Sequence, residues 1–255
     1  MADSSTPAPA IEFDRASFRI NGRPLLQDLV LSVNQGETLV LLGRSGSGKT
    51  TTLKLINRLL LPTSGEVRVN ARATSEWDPI RLRRSIGYVI QDGGLFPHFT
   101  VERNIALVPR IEDWPQSRVQ ARVRELLATV GLSEDLLSRY PNQLSGGQRQ
   151  RVGVARALAA DPPILILDEA FGALDPITRS EMQKEFRALQ QRMKKTVIFV
   201  THDLREALLL ADRIALMEEG RLVVDLPVSE FTRSQIPLVR AYMEAFSGLP
   251  DPKES

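Results

Sequence analysis

A glycine-rich loop carries residues whose types and spacing suit phosphate binding. Its glycines would let the backbone curl its N–H groups around phosphate oxygens, and the helix predicted after it would add a partially positive N-terminus. Lys49 is expected to reach the β- and γ-phosphates of a nucleotide, and the Thr50 hydroxyl is expected to ligate Mg²⁺. The predicted nucleotide-binding residues of this loop are Gly43, Arg44, Ser45, Gly46, Ser47, Gly48, Lys49, Thr50 and Thr51.

An acidic pair, Asp168 and Glu169, directly follows the apolar run 164–167. The carboxyl end of a strand is where open α/β sheets bind their ligands. Asp168 is predicted to hold Mg²⁺, and Glu169 to polarise a water molecule for attack on a γ-phosphate. The alternative interpretation is an acidic surface turn, but such a turn seldom follows a fully apolar run.

Two further polar residues, Gln91 and His202, stand at the ends of predicted strands. The Gln91 amide can reach both metal and water, and His202 can hydrogen-bond a γ-phosphate. Each residue alone could be a polar cap of its strand, but Lys49 and Asp168 are expected at the same sheet edge. The catalytic candidates are Glu169, His202 and Gln91, and the candidate Mg²⁺ ligands are Thr50, Gln91 and Asp168.

A second set of anion-binding groups is predicted after Leu144. A Gly-Gly pair that opens a helix offers free backbone N–H groups, and these need not face the anion held by the chain's own phosphate loop. Two half-sites on one chain suggest that two copies close around shared nucleotide. The residues of this second half-site are Ser145, Gly146, Gly147 and Gln148.

Apolar runs of strand length alternate with helical patterns, which is typical of a mostly parallel sheet covered by helices. A helix is predicted from Lys49 to about Leu60, where Pro62 ends it. The run 164–167 is so apolar that its strand should be central. The other predicted core strands are 38–42, 86–90, 197–200 and 214–217.

The remaining segments divide the chain further. An antiparallel hairpin is predicted at 11–33, with Gly22 and Pro24 at its turn, and an inserted helical subdomain at about 92–160. We expect a disordered tail at 1–10, one domain at 11–228, and a short amphipathic helix with a polar tail at 229–255.

Composition excludes several classes of protein. No apolar run approaches the roughly 18–20 residues that a membrane span requires, and the N-terminus lacks the pattern of a signal peptide. The absence of cysteine excludes disulfides and thiol-ligated metals. The net charge is +2, and basic residues alternate with acidic or apolar ones, so we expect a solvated surface and no nucleic-acid partner.

The ordered set of motifs resembles the nucleotide-binding domain of ABC transporters from residue 11 to about residue 226. The resemblance implies a P-loop ATPase core with the antiparallel β subdomain and the helical insertion. The matched motifs are the Walker A at 43–50, the Q-loop at Gln91, the signature at 144–148, the Walker B at 164–169, the D-loop at 173–175, which ends in Asp175, and the switch histidine His202.

This resemblance implies a head-to-tail homodimer, or a pair with a paralogous ATPase subunit, around two ATP with Mg²⁺. Each ATP would lie between one Walker A and the Ser145 and Gly147 of the other chain, with Asp175 also at the interface. ATP would close the dimer and hydrolysis would open it, driving separate transmembrane permease subunits at the cytoplasmic face of the membrane. A coupling helix of the permease would enter the groove between Gln91 and the helical insertion.

One departure from the family pattern concerns the residue that contacts the adenine base. The family usually places an aromatic residue on adenine, whereas this chain has Ile20 at the matching position and Phe18 two residues earlier. The residue that stacks on adenine is therefore not identified by the pattern.

The stretch 86–106 resembles the ATPases of quaternary-amine importers for glycine betaine, choline and proline. We therefore expect import of an osmoprotectant, with a periplasmic or surface solute-binding protein delivering it to the permease. Little sequence follows the last predicted core strand, so regulation by a C-terminal domain is not expected. The alternatives are an importer of amino acids or another small solute, and a soluble ABC ATPase of DNA repair or translation; the long insertions typical of the latter class are absent.

Overall fold

The computed structural model describes residues 8–247, without the side chains of residues 91, 92, 246 and 247. Most of the predicted tail at 1–10 and the polar end of the chain lie outside this range. The strands are β1 Ile11–Ile20, β2 Arg23–Val33, β3 Thr38–Leu42, β4 Ser64–Val69, β5 Arg72–Ala73, β6 Ile86–Val89, β7 Ile164–Asp168, β8 Thr196–Thr201, β9 Arg213–Glu218 and β10 Arg221–Pro227.

Ten α-helices accompany these strands in the described part of the chain. Short 3₁₀ helices occur at Gln91–Gly94, Glu134–Leu136 and Pro141–Gln143. The α-helices are α1 Lys49–Ile56, α2 Pro79–Arg84, α3 Val101–Ile105, α4 Leu107–Ile111, α5 Gln116–Thr129, α6 Gly146–Leu158, α7 Pro176–Met193, α8 Leu204–Leu210, α9 Val228–Phe231 and α10 Pro237–Ser247.

The strands form two sheets. One is antiparallel, in the order β2-β1-β4-β5, and the other is six-stranded, in the order β10-β9-β3-β8-β7-β6. In the larger sheet every neighbouring pair is parallel except β9 with β10. The predicted α/β fold class, with its antiparallel β subdomain, is confirmed.

The strand β7 is buried on both faces, as its apolar sequence predicts. Leu165 and Leu167 belong to one hydrophobic cluster, whereas Ile164 and Ile166 belong to the cluster on the opposite face. However, β7 is next to the edge strand β6, and the middle positions of the sheet are held by β3 and β8. Burial on both faces requires cover by two layers and does not require a central place in the strand order.

Two local predictions were imprecise. Helix α1 ends at Ile56 rather than near Leu60, because Arg58 adopts a left-handed backbone with φ of 53°. The hairpin turn consists of Asn21 and Gly22, with φ of 50° and 78°, and Pro24 already lies in β2.

The helical insertion lies between β6 and β7, and within residues 8–247 no strand interrupts it. It holds α3 to α6 and is packed on the larger sheet through α6. None of the helices described is both long and apolar enough to span a bilayer.

Candidate functional site

The loop between β3 and α1 is shaped by its glycines. Gly46 and Gly48 have φ of 81° and 104°, which residues with a side chain rarely adopt. A Cβ atom on Gly48 would lie 2.8 Å from the Leu26 Cδ2 atom and 3.0 Å from the Leu25 carbonyl oxygen, so a larger residue there would be both strained and crowded. Gly220, between β9 and β10, donates its N–H to the Ser47 carbonyl at 3.1 Å and fixes the loop against the sheet.

Lys49 is folded into this loop. Its Nζ atom donates to the carbonyls of Gly43 at 2.7 Å and Arg44 at 2.8 Å, and the residue is only 4% exposed. Burial lowers the pKa of the ammonium, whereas the charges of Glu169 and Asp168 oppose this shift. The loop is therefore closed around a cation that faces two carboxylates, an arrangement that suits phosphate and Mg²⁺.

Asp168 lies at the end of β7 and is half-buried. The Tyr88 hydroxyl, on the neighbouring β6, donates a hydrogen bond of 3.1 Å to its Oδ2 atom. Burial raises the pKa of Asp168, and the hydrogen bond from Tyr88 and the positive charge of Lys49 oppose the rise. The sequence pattern missed Tyr88, although it precedes Gln91 on the same predicted strand.

Glu169 and His202 approach each other at the carboxyl ends of β7 and β8. The Glu169 Oε2 and His202 Nδ1 atoms are 3.6 Å apart. Glu169 has φ of 47°, a conformation that costs about 1–3 kcal/mol for a residue with a side chain. Its N–H donates to the Val200 carbonyl at 3.0 Å, which holds this conformation against β8.

A cleft of about 500 Å³ opens at this edge. The phosphate-loop residues Gly43, Arg44 and Ser45 line it, together with Glu169 and His202. Helix α10 also lines the cleft; the sequence predicted a short helix in this part of the chain but not its place at the site. Its helical spacing was the available signal, since the lining residues recur at intervals of three and four: Leu238, Ala241, Tyr242 and Ala245.

The other residues of the predicted nucleotide loop are arranged along the start of α1. Gly46 is exposed and Ser47 is buried, with its N–H donating to the Arg44 carbonyl at 3.2 Å. Thr50 is exposed in the first turn and Thr51 is half-buried. An exposed hydroxyl at Thr50 and a carboxylate at Asp168 are the types of ligand that Mg²⁺ takes in addition to phosphate oxygens.

Gln91 begins the 3₁₀ helix after β6, and its side chain lies outside the described residues. The turn itself is fixed by α6. Arg156 donates to the carbonyls of Gly94 at 2.8 Å and Gly93 at 2.9 Å. A Cβ atom on Gly153 would lie 2.9 Å from the Gly93 Cα atom, so the two backbones are in close contact.

The second half-site is built on the N-terminus of α6. Ser145 is the N-cap: its Oγ accepts from the Gln148 N–H at 3.2 Å, and its own N–H donates to the Gln148 Oε1 at 2.9 Å. Ser145 is exposed and Gly146 is partly exposed. A Cβ on Gly147 would come within 2.7 Å of the Thr178 Cγ2 atom. None of these described residues lines the cleft at Gly43.

Asp175 is exposed at the N-cap of α7. Its Oδ1 atom accepts from the N–H groups of Ile177 and Thr178, both at 3.1 Å. The hydrogen bonds from Thr178 lower the pKa of this carboxyl. Because Thr178 also touches Gly147, Asp175 and the second half-site are neighbours, and both lie apart from the cleft.

The candidates for adenine contact differ in exposure. Phe18 is 8% exposed and belongs to the core, whereas Ile20 is 47% exposed at the end of β1. Ile20 is thus the accessible apolar side chain of the pair.

Comparison with known proteins identifies the family of the chain. The ABC transporter family matches residues 26–172. The glycine betaine/carnitine/choline transport ATP-binding protein OpuCA of Bacillus subtilis is 51% identical over 202 residues, which cover 79% of this chain and 53% of OpuCA. The glycine betaine uptake system ATP-binding protein YehX of Escherichia coli is 47% identical over 233 residues, covering 91% of this chain and 76% of YehX. The chain spans about half the length of OpuCA and similar relatives.

The fold has solved counterparts as well. The dimeric structure of the ATP-binding cassette MJ0796 in a post-hydrolysis state, bound to ADP and Pi, superposes with a TM-score of 0.76 at 32% identity. The superposition covers 86% of this chain and 98% of that one. The family match over more than half of the chain, the identity to YehX and this structural similarity lead to one conclusion: the chain belongs to the ABC transporter family.

Proposed function

We propose that the chain is the ATP-hydrolysing subunit of an ABC importer. The observation that carries this proposal is the convergence at one cleft of the loop closed around Lys49 and the contact between Glu169 and His202. A buried cation, a carboxylate and an imidazole beside a phosphate-binding loop are the groups that phosphoryl transfer to water requires.

The chemistry of the reaction divides among these residues. The loop N–H groups and Lys49 hold the β- and γ-phosphates, and Glu169 orients a water molecule and accepts its proton. His202, next to Glu169, donates to the γ-phosphate, and the Gln91 amide is assigned to the attacking water and the metal. Thr50, Gln91 and Asp168 would hold Mg²⁺, which would neutralise phosphate charge.

We further propose that the active form is a head-to-tail dimer around two ATP molecules. The support is that Ser145 and Asp175 are the N-caps of α6 and α7, with Gly147 in the first turn of α6, and that none of the three lines the chain's own cleft. Such N-termini suit the phosphates of a second chain. The structural relative MJ0796 forms a dimer with ADP and Pi, and this is consistent with such an arrangement.

For the transported solute we propose an osmoprotectant such as glycine betaine, choline or carnitine. The support comes from the relatives OpuCA and YehX, whose names specify these solutes. The solute would pass through separate permease subunits supplied by a solute-binding protein, with this chain peripheral at the cytoplasmic face. Import of an amino acid or another small solute is the alternative. The solute would not contact the ATPase, so the residues of this chain do not identify it.

The central test is the exchange Glu169→Gln, which keeps the shape of the side chain but removes the base. ATP hydrolysis by the purified chain should fall by at least about 100-fold, the usual contribution of a general base. ATP binding should persist, and an ATP-dependent dimer should accumulate on a sizing column. The matched control is Glu181→Gln on the exposed side of α7, for which we expect wild-type hydrolysis. Unchanged turnover in Glu169→Gln would remove Glu169 as the base.

The solute is tested by uptake in cells that lack the chromosomal copy of this chain. Wild-type protein, but not Glu169→Gln, should restore uptake of labelled glycine betaine or choline. Restoration of amino-acid uptake alone would favour the alternative importer.

A further inference from the structure

A buried carboxylate lies just behind the cleft. Glu206, in the first turn of α8, is 4% exposed. Its Oε2 atom accepts from the Thr201 hydroxyl at 2.5 Å, and its Oε1 atom accepts from the Gln183 amide at 2.9 Å. Both oxygens are therefore occupied by side chains of two other elements, β8 and α7.

The first of these contacts holds the backbone that carries His202. Thr201 is the last residue of β8, and its Oγ1 atom also accepts from the Asp203 N–H at 3.0 Å. The hydroxyl thus connects Glu206 to the residues on both sides of His202. Because the His202 side chain is 62% exposed, packing around the imidazole cannot fix its position.

The second contact reaches the helix that begins after Asp175. On the same helix Arg179 donates to the carbonyls of Phe171 at 3.1 Å and of Gly172 and Leu174 at 3.0 Å. These bonds hold the segment that joins Glu169 to Asp175. Helix α7 therefore carries both the clamp on this segment and the Gln183 amide that binds Glu206.

A buried carboxylate is costly unless its oxygens are satisfied by hydrogen bonds. Burial raises the pKa of Glu206, and the hydrogen bonds from Thr201 and Gln183 oppose that rise. An apolar side chain of similar size would fill the same space without this cost. An apolar replacement of Glu206 would therefore keep the packing and lose the two hydrogen bonds.

We propose that Glu206 is a positioning residue that fixes His202 relative to Glu169 and to the helix beginning after Asp175. This inference rests on the proposed ATPase function. Glu206 acts through Thr201 on one side and Gln183 on the other, and it does not touch the nucleotide itself.

The test compares exchanges that remove the contacts with one that keeps them. Glu206→Met and the nearly isosteric Thr201→Val should lower kcat by about 10-fold, equivalent to roughly 1.4 kcal/mol in the barrier. The KM for ATP should stay within about twofold, since the phosphate loop is untouched. Glu206→Gln should retain most of the activity, because an amide can accept from Gln183 and donate to the Thr201 oxygen.

A double-mutant cycle separates positioning from general stability. In a His202→Ala background, Thr201→Val should cause little further loss of residual kcat, because the group that it positions is already absent. A full additional 10-fold loss there, or an unchanged kcat in both Thr201→Val and Glu206→Met, would overturn the proposal. The proposed ATPase function is tested separately, by Glu169→Gln in the otherwise wild-type chain, so the two can fail independently.

Discussion

Lys49 illustrates how a single side chain sets the electrostatics of the cleft. Because Lys49 is only 4% exposed, its ammonium loses hydration, and the two loop carbonyls replace that hydration in part. The carboxylates of Asp168 and Glu169 stand nearby and oppose the lowering of the Lys49 pKa. A phosphate chain bound in the loop would add negative charge next to this cation and would further favour its charged form.

Asp168 depends in turn on Tyr88. The Tyr88 hydroxyl holds one carboxylate oxygen, so the other oxygen is oriented for a metal or water. Burial raises the pKa of Asp168, and loss of this hydrogen bond would raise it further. Tyr88 therefore orients the carboxylate and favours its charged form.

We expect Tyr88→Phe to weaken the activation of ATP hydrolysis by Mg²⁺. A hydrogen bond to a charged group contributes about 1.5–3 kcal/mol, so its loss should raise the half-saturating Mg²⁺ concentration by roughly 10-fold or more. The measurement is a Mg²⁺ titration of hydrolysis at saturating ATP. Tyr140→Phe, which alters an exposed tyrosine, is the matched control. An unchanged Mg²⁺ dependence would mean that Asp168 needs no help from Tyr88.

At the scale of elements, the sequence predicts those features that follow from local pattern. The strand β3 and the loop after it match the prediction, because an apolar run leads directly into a glycine-rich segment. In the structure all five residues of β3 are buried, and the glycines after it adopt positive φ. The Gly-Gly pair opens α6 as predicted: the helix begins at Gly146, and Ser145 and Gln148 form a capping box there.

Features that depend on distant contacts could not be predicted in this way. The order of strands places β7 beside the edge, and this order follows from packing of segments far apart in the chain. Helix α10 lines the cleft because Val239 is buried in the same core as α8, and no local pattern specifies that partner. The hydrogen bonds of Glu206 likewise join residues that are 5 and 23 positions apart.

The N-terminus of α6 allows the stability of the helix to be separated from its proposed role. Ser145→Ala should lower the free energy of unfolding by about 1 kcal/mol, the usual cost of losing an N-cap. Ser145→Asp should keep the cap, because aspartate accepts from the same N–H group and favours a helix N-terminus. In the proposed dimer, however, this carboxylate would repel the partner's γ-phosphate.

Stability and ATP-dependent dimerisation should therefore respond in opposite ways to Ser145→Ala and Ser145→Asp. Urea denaturation should show the alanine variant as the less stable of the two. Sizing chromatography with ATP, in the Glu169→Gln background, should show that the aspartate variant fails to dimerise. Thr100→Ala removes the matching cap of α3 and should reduce stability without loss of the dimer. Normal ATP-dependent dimerisation of Ser145→Asp would contradict the assignment of α6 to the phosphate.

At the scale of the whole molecule, the two proposed half-sites occupy different places in the described chain. The cleft at Gly43 is lined by Glu169, His202 and α10, whereas Ser145 lies at the start of α6 beside α7. If each nucleotide site is complete only between two chains, the ATPase activity of mixed dimers can be predicted. Lesions in different half-sites should combine in one site and leave the other intact.

Lys49→Ala damages the phosphate loop, and Ser145→Arg blocks the second half-site with a bulky cation. In a mixed dimer of the two variants, one site would combine both lesions, and the other would pair an intact loop with an intact Ser145. We expect each homodimer to be inactive and the mixed dimer to recover up to about half of the wild-type ATPase rate, as independent sites would give. Differently tagged chains, purified through both tags in sequence, ensure that only mixed dimers are assayed. If each chain instead formed its own complete site, both sites of the mixed dimer would carry a lesion, and no activity would return.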